Sequence, residues 1–159
     1  MFDRLIESLQ SQLILYNELL ESARQKKSFV INNDIDALRR LTARENSLIG
    51  KLRRAERDRA AYTSEIAKKL GVSVENLTLA ELAGHVKDEG VRERLADLRI
   101  RIRANMDELK ILNEWNKALI DHNLEYIDFS VNLLRGSAAE PVYAGADEIH
   151  GRVFFDTRG

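Results

Sequence analysis

The chain has 159 residues, enough for one domain, and is 44% hydrophobic and 32% charged but only 6% aromatic, with a single proline, a balance that favours long helices and coiled coil. Its 25 Lys and Arg against 26 Asp and Glu leave a formal charge of -1, without the basic excess that phosphate neutralisation needs, which argues against a nucleic-acid module. The absence of cysteine removes disulfides and thiolate metal sites and fits a reducing cytosol, and no run approaches the ~20 apolar residues of a membrane span.

The N-terminus, MFDRLIESLQSQLILYNELL, interrupts its apolar residues with Asp3, Glu7, Gln10 and Gln12 and so lacks the continuous apolar region of a secretory signal. A first helix is predicted over 2–30. Phe2, Ile6, Leu9, Leu13, Tyr16, Leu20, Ala23, Lys27 and Val30 follow the three-four spacing of a buried stripe, and Leu5, Ile14, Leu15 and Leu19 widen it toward a second neighbour. Asn32 and Asn33 stop the helix, because their side chains compete for local backbone groups, and Asp34 is placed to cap the next one. So short a connection predicts an antiparallel pair.

The second helix is predicted over 35–70, with Leu38, Leu41, Leu48, Leu52, Ala55, Tyr62 and Ile66 on its seam and Glu45 and Arg59 at the remaining inward positions. Those two charges lie fourteen residues apart, about four turns, so they cannot pair with each other; the expectation is that each sets register against a polar partner on a neighbouring helix. Gly71 stands where a left-handed residue ends a helix. Residues 72–90 read as a corner, with a short helix at about 78–88: Thr78 and Glu81 form a capping-box pattern, and Gly84 and Gly90 limit its length.

A third long helix is predicted over 91–135, ending at Arg135 and Gly136. Leu95, Leu98, Ile102, Asn105, Leu109, Leu112, Asn116, Leu119, Asn123, Tyr126, Ser130 and Leu133 lie on a heptad grid. Such a helix cannot bury its stripe against itself. Being longer than the first helix, it is expected to carry part of its apolar stripe beyond that partner, in the set from Leu124 to Leu134, and an uncovered apolar face is a docking site for another amphipathic helix. Residues 137–159 have no helical period and read as a flexible tail containing an apolar cluster, Val153, Phe154 and Phe155. The fold class expected is therefore all-α: an elongated antiparallel bundle or coiled coil of three long helices over 1–136, with a short helical corner and a tail over 137–159.

Nothing assembles a catalytic or metal centre. His85, His122 and His150 are scattered without metal-ligand spacing, and there is no glycine-rich phosphate loop and no nucleophile motif. No enzyme, cofactor or metal is expected.

The segments NDIDALRRLTAREN and LIGKLRRAERDR in the second helix, NEWNKALIDHNLEYIDFSVNLL in the third, and VYAG with RVFFDTRG in the tail resemble the FlgN-type flagellar export chaperones. The resemblance implies a small cytoplasmic chaperone of the flagellar type III export system, not membrane-inserted. It would hold hook-filament junction proteins unassembled through a terminal amphipathic helix of the cargo and deliver them to the export apparatus. Carried onto this chain, the partner-binding positions are Trp115, Leu119, Asn123, Tyr126, Ile127, Val131 and Leu134. Apart from the resemblance, Val153, Phe154 and Phe155, an apolar anchor in a flexible segment, are expected to cover the same groove until cargo displaces them. The competing expectation is a structural coiled-coil homodimer without export cargo.

Overall fold

A computed structural model describes residues 1–74 and 77–139. Among the described residues there are four helices and no strand: α1 Asp3–Ile31, α2 Ile35–Leu70, α3 Leu79–Gly84 and α4 Glu89–Ala139. The chain falls into two compact units, Met1–Ile120 and Asp121–Gly159.

In the first unit the helix ends are set by local chemistry. Asn33 takes φ 52°, a left-handed conformation that asparagine tolerates, and the Asp34 side chain accepts a hydrogen bond from the Ala37 amide at 3.0 Å to cap α2. At the other end of α2, Gly71 adopts φ 69° while the Val72 amide donates back to the Ala67 carbonyl at 3.0 Å, so orphan carbonyls of the last turn are satisfied. The capping box forms as expected: Thr78 Oγ1 accepts from the Glu81 amide and the Glu81 carboxylate accepts from the Thr78 amide at 2.7 Å. The Thr78 amide and then the Thr78 hydroxyl, which also donates to that carboxylate at 2.9 Å, hold the Glu81 carboxyl below its usual range. Asp88 accepts from the Val91 amide at 3.0 Å, so α4 starts at Glu89, slightly before the expected 91.

The principal core joins Leu5, Ile6, Leu9 and Leu13 of α1 to Ile66 of α2, Leu82 and Ala83 of α3, Val86, and Leu95, Leu98 and Ile102 of α4. The six-residue α3 is too short to be stable alone, and it is held because Leu82 is fully buried in this cluster. Away from that end, polar groups fix the alignment. Ser8 Oγ and Gln12 Nε2 both donate to the Ala55 carbonyl, and Lys26 pairs with Glu45 at 2.7 Å, so α1 and α2 run antiparallel. Asn105 donates to Asn17 at 2.7 Å, Arg24 pairs with Glu108, and the buried Asn116 amide donates to the Ala23 carbonyl at 2.7 Å, so α1 and α4 run parallel. The sequence offsets of these three pairs are 88, 84 and 93, which put Ile31, the last residue of α1, opposite the end of this unit.

Four local expectations are corrected. Lys27 is exposed and its neighbour Lys26 takes the inward place, because Lys26 is the lysine that reaches Glu45. Ile14, expected to widen the α1 stripe, is 58% exposed. Arg59 does not reach a neighbouring helix; it pairs with Glu56, three residues earlier on the same face of α2. The long helix does not stop at Gly136 but continues to Ala139: an interior glycine costs only about 1 kcal/mol, the next residues include Ala138 and Ala139, and the backbone-restricting Pro141 comes only afterwards.

Candidate partner-binding surface

Of the seven positions singled out in the third helix, Trp115 and Leu119 belong to the first unit and Asn123, Tyr126, Ile127, Val131 and Leu134 to the second. Trp115 is 63% exposed and Leu119 half-buried. In the second unit Asn123 is half-buried, whereas Tyr126, Ile127, Val131 and Leu134 are exposed, Leu134 by 70%.

The second unit's helical segment is unusual in the width of its apolar face. At about 100° per residue, Leu124, Tyr126, Ile127, Phe129, Val131, Leu133 and Leu134 spread over an arc of roughly 220°, and Asp121, Glu125, Asp128, Asn132 and Arg135 fill the remaining sector. All seven apolar residues of that arc are exposed. Leu124, Phe129 and Leu133 are not among the seven positions carried over from the family pattern, but they belong to the apolar set from Leu124 to Leu134 expected from the sequence, and their angular position around the helix places them on the arc. The tail cluster Val153, Phe154 and Phe155 lies outside the described residues.

Among the concavities of the first unit, two matter here that the sequence did not reveal. One, about 380 Å³, is lined by Leu19, Ile49, Leu109 and Asn116 around the Lys26 and Glu45 pair. Both charged side chains there are largely buried, 18% and 14% exposed, and neutralise each other. The larger, about 1050 Å³, lies between α2 and α4 over α1, with Leu9, Gln12 and Tyr16 as its floor. Around it, the hydrogen bond from Arg59 holds the Glu56 carboxyl below its usual range, aided by Gln12, against the opposing effect of burial. Burial, then the Glu56 charge, pushes the Tyr16 phenol up. Among the described residues no three His, Asp or Glu side chains gather as a metal site, and no helix is long and apolar enough to cross a membrane.

A packed helical unit and an exposed apolar helix face of this width are the features of a helical binding module. The model of the FlgN protein family matches residues 1–147. The chain belongs to that family, which is one of flagellar export chaperones rather than enzymes and binds flagellar export cargo. No curated protein and no solved structure is detectably similar.

Proposed function

We propose that this chaperone acts in the cytoplasm, captures hook-filament junction proteins through the apolar arc of α4, and keeps them unassembled until they reach the export apparatus. The observation that carries this reading is the exposure of Tyr126, Ile127, Val131 and Leu134 on one helical segment. An amphipathic terminal helix of the cargo would lie along this arc and cover it, with affinity arising mainly from apolar burial. Trp115, Leu119 and Asn123 are carried as further contacts by the sequence pattern. Val153, Phe154 and Phe155 are proposed to compete with cargo for the same face.

The test is calorimetry of the full chain with the C-terminal helical segment of a hook-filament junction protein, alongside Ile127→Ala combined with Val131→Ala. The two substitutions remove five carbons, worth about 0.8 kcal/mol each when fully buried on binding. Halving that for surface already covered in the free chain leaves about 2 kcal/mol, a loss of affinity of at least tenfold. Unchanged affinity in the double variant, with helicity intact, would remove cargo from this face. A stable dimer that ignores cargo would instead favour the structural coiled coil.

A further inference from the structure

The 1050 Å³ groove of the first unit is built from residues separate from the proposed cargo face. Its flanks are residues 52–59 of α2 and 99–107 of α4, eight or nine residues each, or roughly 12 Å at about 1.5 Å per residue. The three long helices α1, α2 and α4 line it, together with Leu79 of α3. Its accessible apolar surface comes from Tyr16, Leu52, Leu79, Ile100 and Met106, above the buried Leu9 and Ile102. At the top of the usual range for small-ligand pockets, about 300–1,000 Å³, and open along its length, it suits an elongated segment better than a compact metabolite.

The rim identifies the chemistry of the occupant. Five arginines line the groove: Arg53, Arg57 and Arg59 from α2, and Arg99 and Arg103 from α4. Arg59 is neutralised by Glu56 and Arg103 by Asp107, but Arg53, Arg57 and Arg99 form no ion pair among the described residues. Three unneutralised guanidiniums therefore flank an apolar floor in a chain whose overall charge is -1. The spacing is unfavourable for the helices themselves. Arg53 with Arg57, and Arg99 with Arg103, are like charges four residues apart, which weakens an isolated helix by a few tenths of a kcal/mol per pair. A polyphosphate would satisfy the arginines but leave the leucines, Tyr16 and Met106 facing a charged ligand.

We propose that this groove docks about two turns of an amphipathic α-helix from a partner protein, with apolar anchors at i, i+3 or i+4 and i+7 and with Asp or Glu on both flanks of that stripe. The apolar anchors meet Tyr16, Leu52 and Met106, and the acidic flanks meet Arg53 and Arg57 on one side and Arg99 on the other. This docking does not depend on the cargo reading, and its surface leaves the apolar arc of residues 124–134 unused.

The probe is a fluorescent stapled helical peptide of about three turns, with leucine anchors and glutamate flanks, compared with an otherwise identical lysine-flanked peptide. Anisotropy titrations use the full chain. The glutamate peptide is expected to bind at least tenfold more tightly than the lysine peptide and to weaken as salt rises. Combined Arg53→Glu, Arg57→Glu and Arg99→Glu, all at exposed positions, should reverse the preference, with circular dichroism confirming the fold. Ile127→Ala with Val131→Ala should leave glutamate-peptide binding unchanged, and a photoreactive central anchor should cross-link to the α2 and α4 flanks of the groove. Equal affinity for the two peptides, no binding of either, binding that survives charge reversal, or cross-linking to residues 121–136 would each overturn the proposal.

Discussion

Asn116 offers the sharpest test of how the first unit holds its register. Its side chain is 4% exposed, and its amide donates to the Ala23 carbonyl at 2.7 Å. Asn116→Asp keeps the shape and changes only the donor. When the new carboxyl is protonated, its O–H can still donate to the carbonyl; when ionised, it places negative charge against a carbonyl oxygen in a largely dehydrated seam. Burial raises a carboxyl pKa by up to 3–5 units at full desolvation, and this site opens onto the cavity that also holds Lys26 and Glu45, whose charges act in opposite directions. A rise of about 2 units from the ordinary ~3.9 is therefore expected, worth about 2.7 kcal/mol. The folded state then binds the proton more tightly than the unfolded chain, so stability falls as pH rises from about 4 to about 6 and stays low above that. The assay is urea unfolding followed by circular dichroism at several pH values, read as variant minus unsubstituted chain. A destabilisation of about 0.5 kcal/mol at pH 4 and about 2.7 kcal/mol at pH 7 is expected. The same difference at both pH values would refute the donor role of Asn116.

Lys26→Met should leave the Glu45 carboxylate, 14% exposed, without its partner and cost about 2 kcal/mol, less than the 3–5 of a fully dehydrated pair; Lys26→Met with Glu45→Leu should recover most of it, as a double-mutant cycle in urea would show. The raised Tyr16 phenol stabilises the fold below the ordinary tyrosine range and loses that contribution as pH rises through its folded value, so Tyr16→Phe should flatten the alkaline limb of the stability profile above about pH 10. Ultraviolet difference titration should at the same time lose a phenol that ionises above the ordinary tyrosine range.

Features governed by neighbours in the chain were legible in the sequence. The Asp34 cap, the left-handed Gly71 and the Thr78 and Glu81 box each depend on a few consecutive residues, and each occurs where the pattern put it. So did the all-α class, because a three-four spacing sustained over these lengths fits no strand. Features that depend on the offset between helices were not legible. Whether Lys26 or Lys27 turns inward is decided by the position of Glu45 across the α1 and α2 interface, and whether Arg59 crosses to another helix is decided by the closer Glu56. The groove over Leu9 and Tyr16 exists because α2 and α4 both pack on α1 while leaving space between them, a spacing no single stripe encodes. For the candidate site, periodicity located the apolar residues of 124–134, but only the folded structure shows that Tyr126 and Leu134 face solvent.

Gly136 connects the helical character of the second unit to binding. It lies inside α4 with open space where a Cβ would stand, so alanine fits without displacing anything. A helical segment with so much exposed apolar surface gains little from tertiary packing, and its stability in the free chain rests mainly on intrinsic propensity. Replacing glycine by alanine should favour the helix by about 1 kcal/mol. If cargo binds only the helical form, the free chain bears an ordering cost on binding that the substitution reduces, and affinity should rise by up to about fivefold while the cargo contacts stay the same. Calorimetry with the junction-protein helix, together with hydrogen exchange over residues 121–139, separates the two effects. Slower exchange with tighter binding supports a face that must be helical to work. Slower exchange with unchanged affinity would mean that helix formation in this segment is not part of the binding equilibrium, and that the apolar arc is already fully formed before cargo arrives.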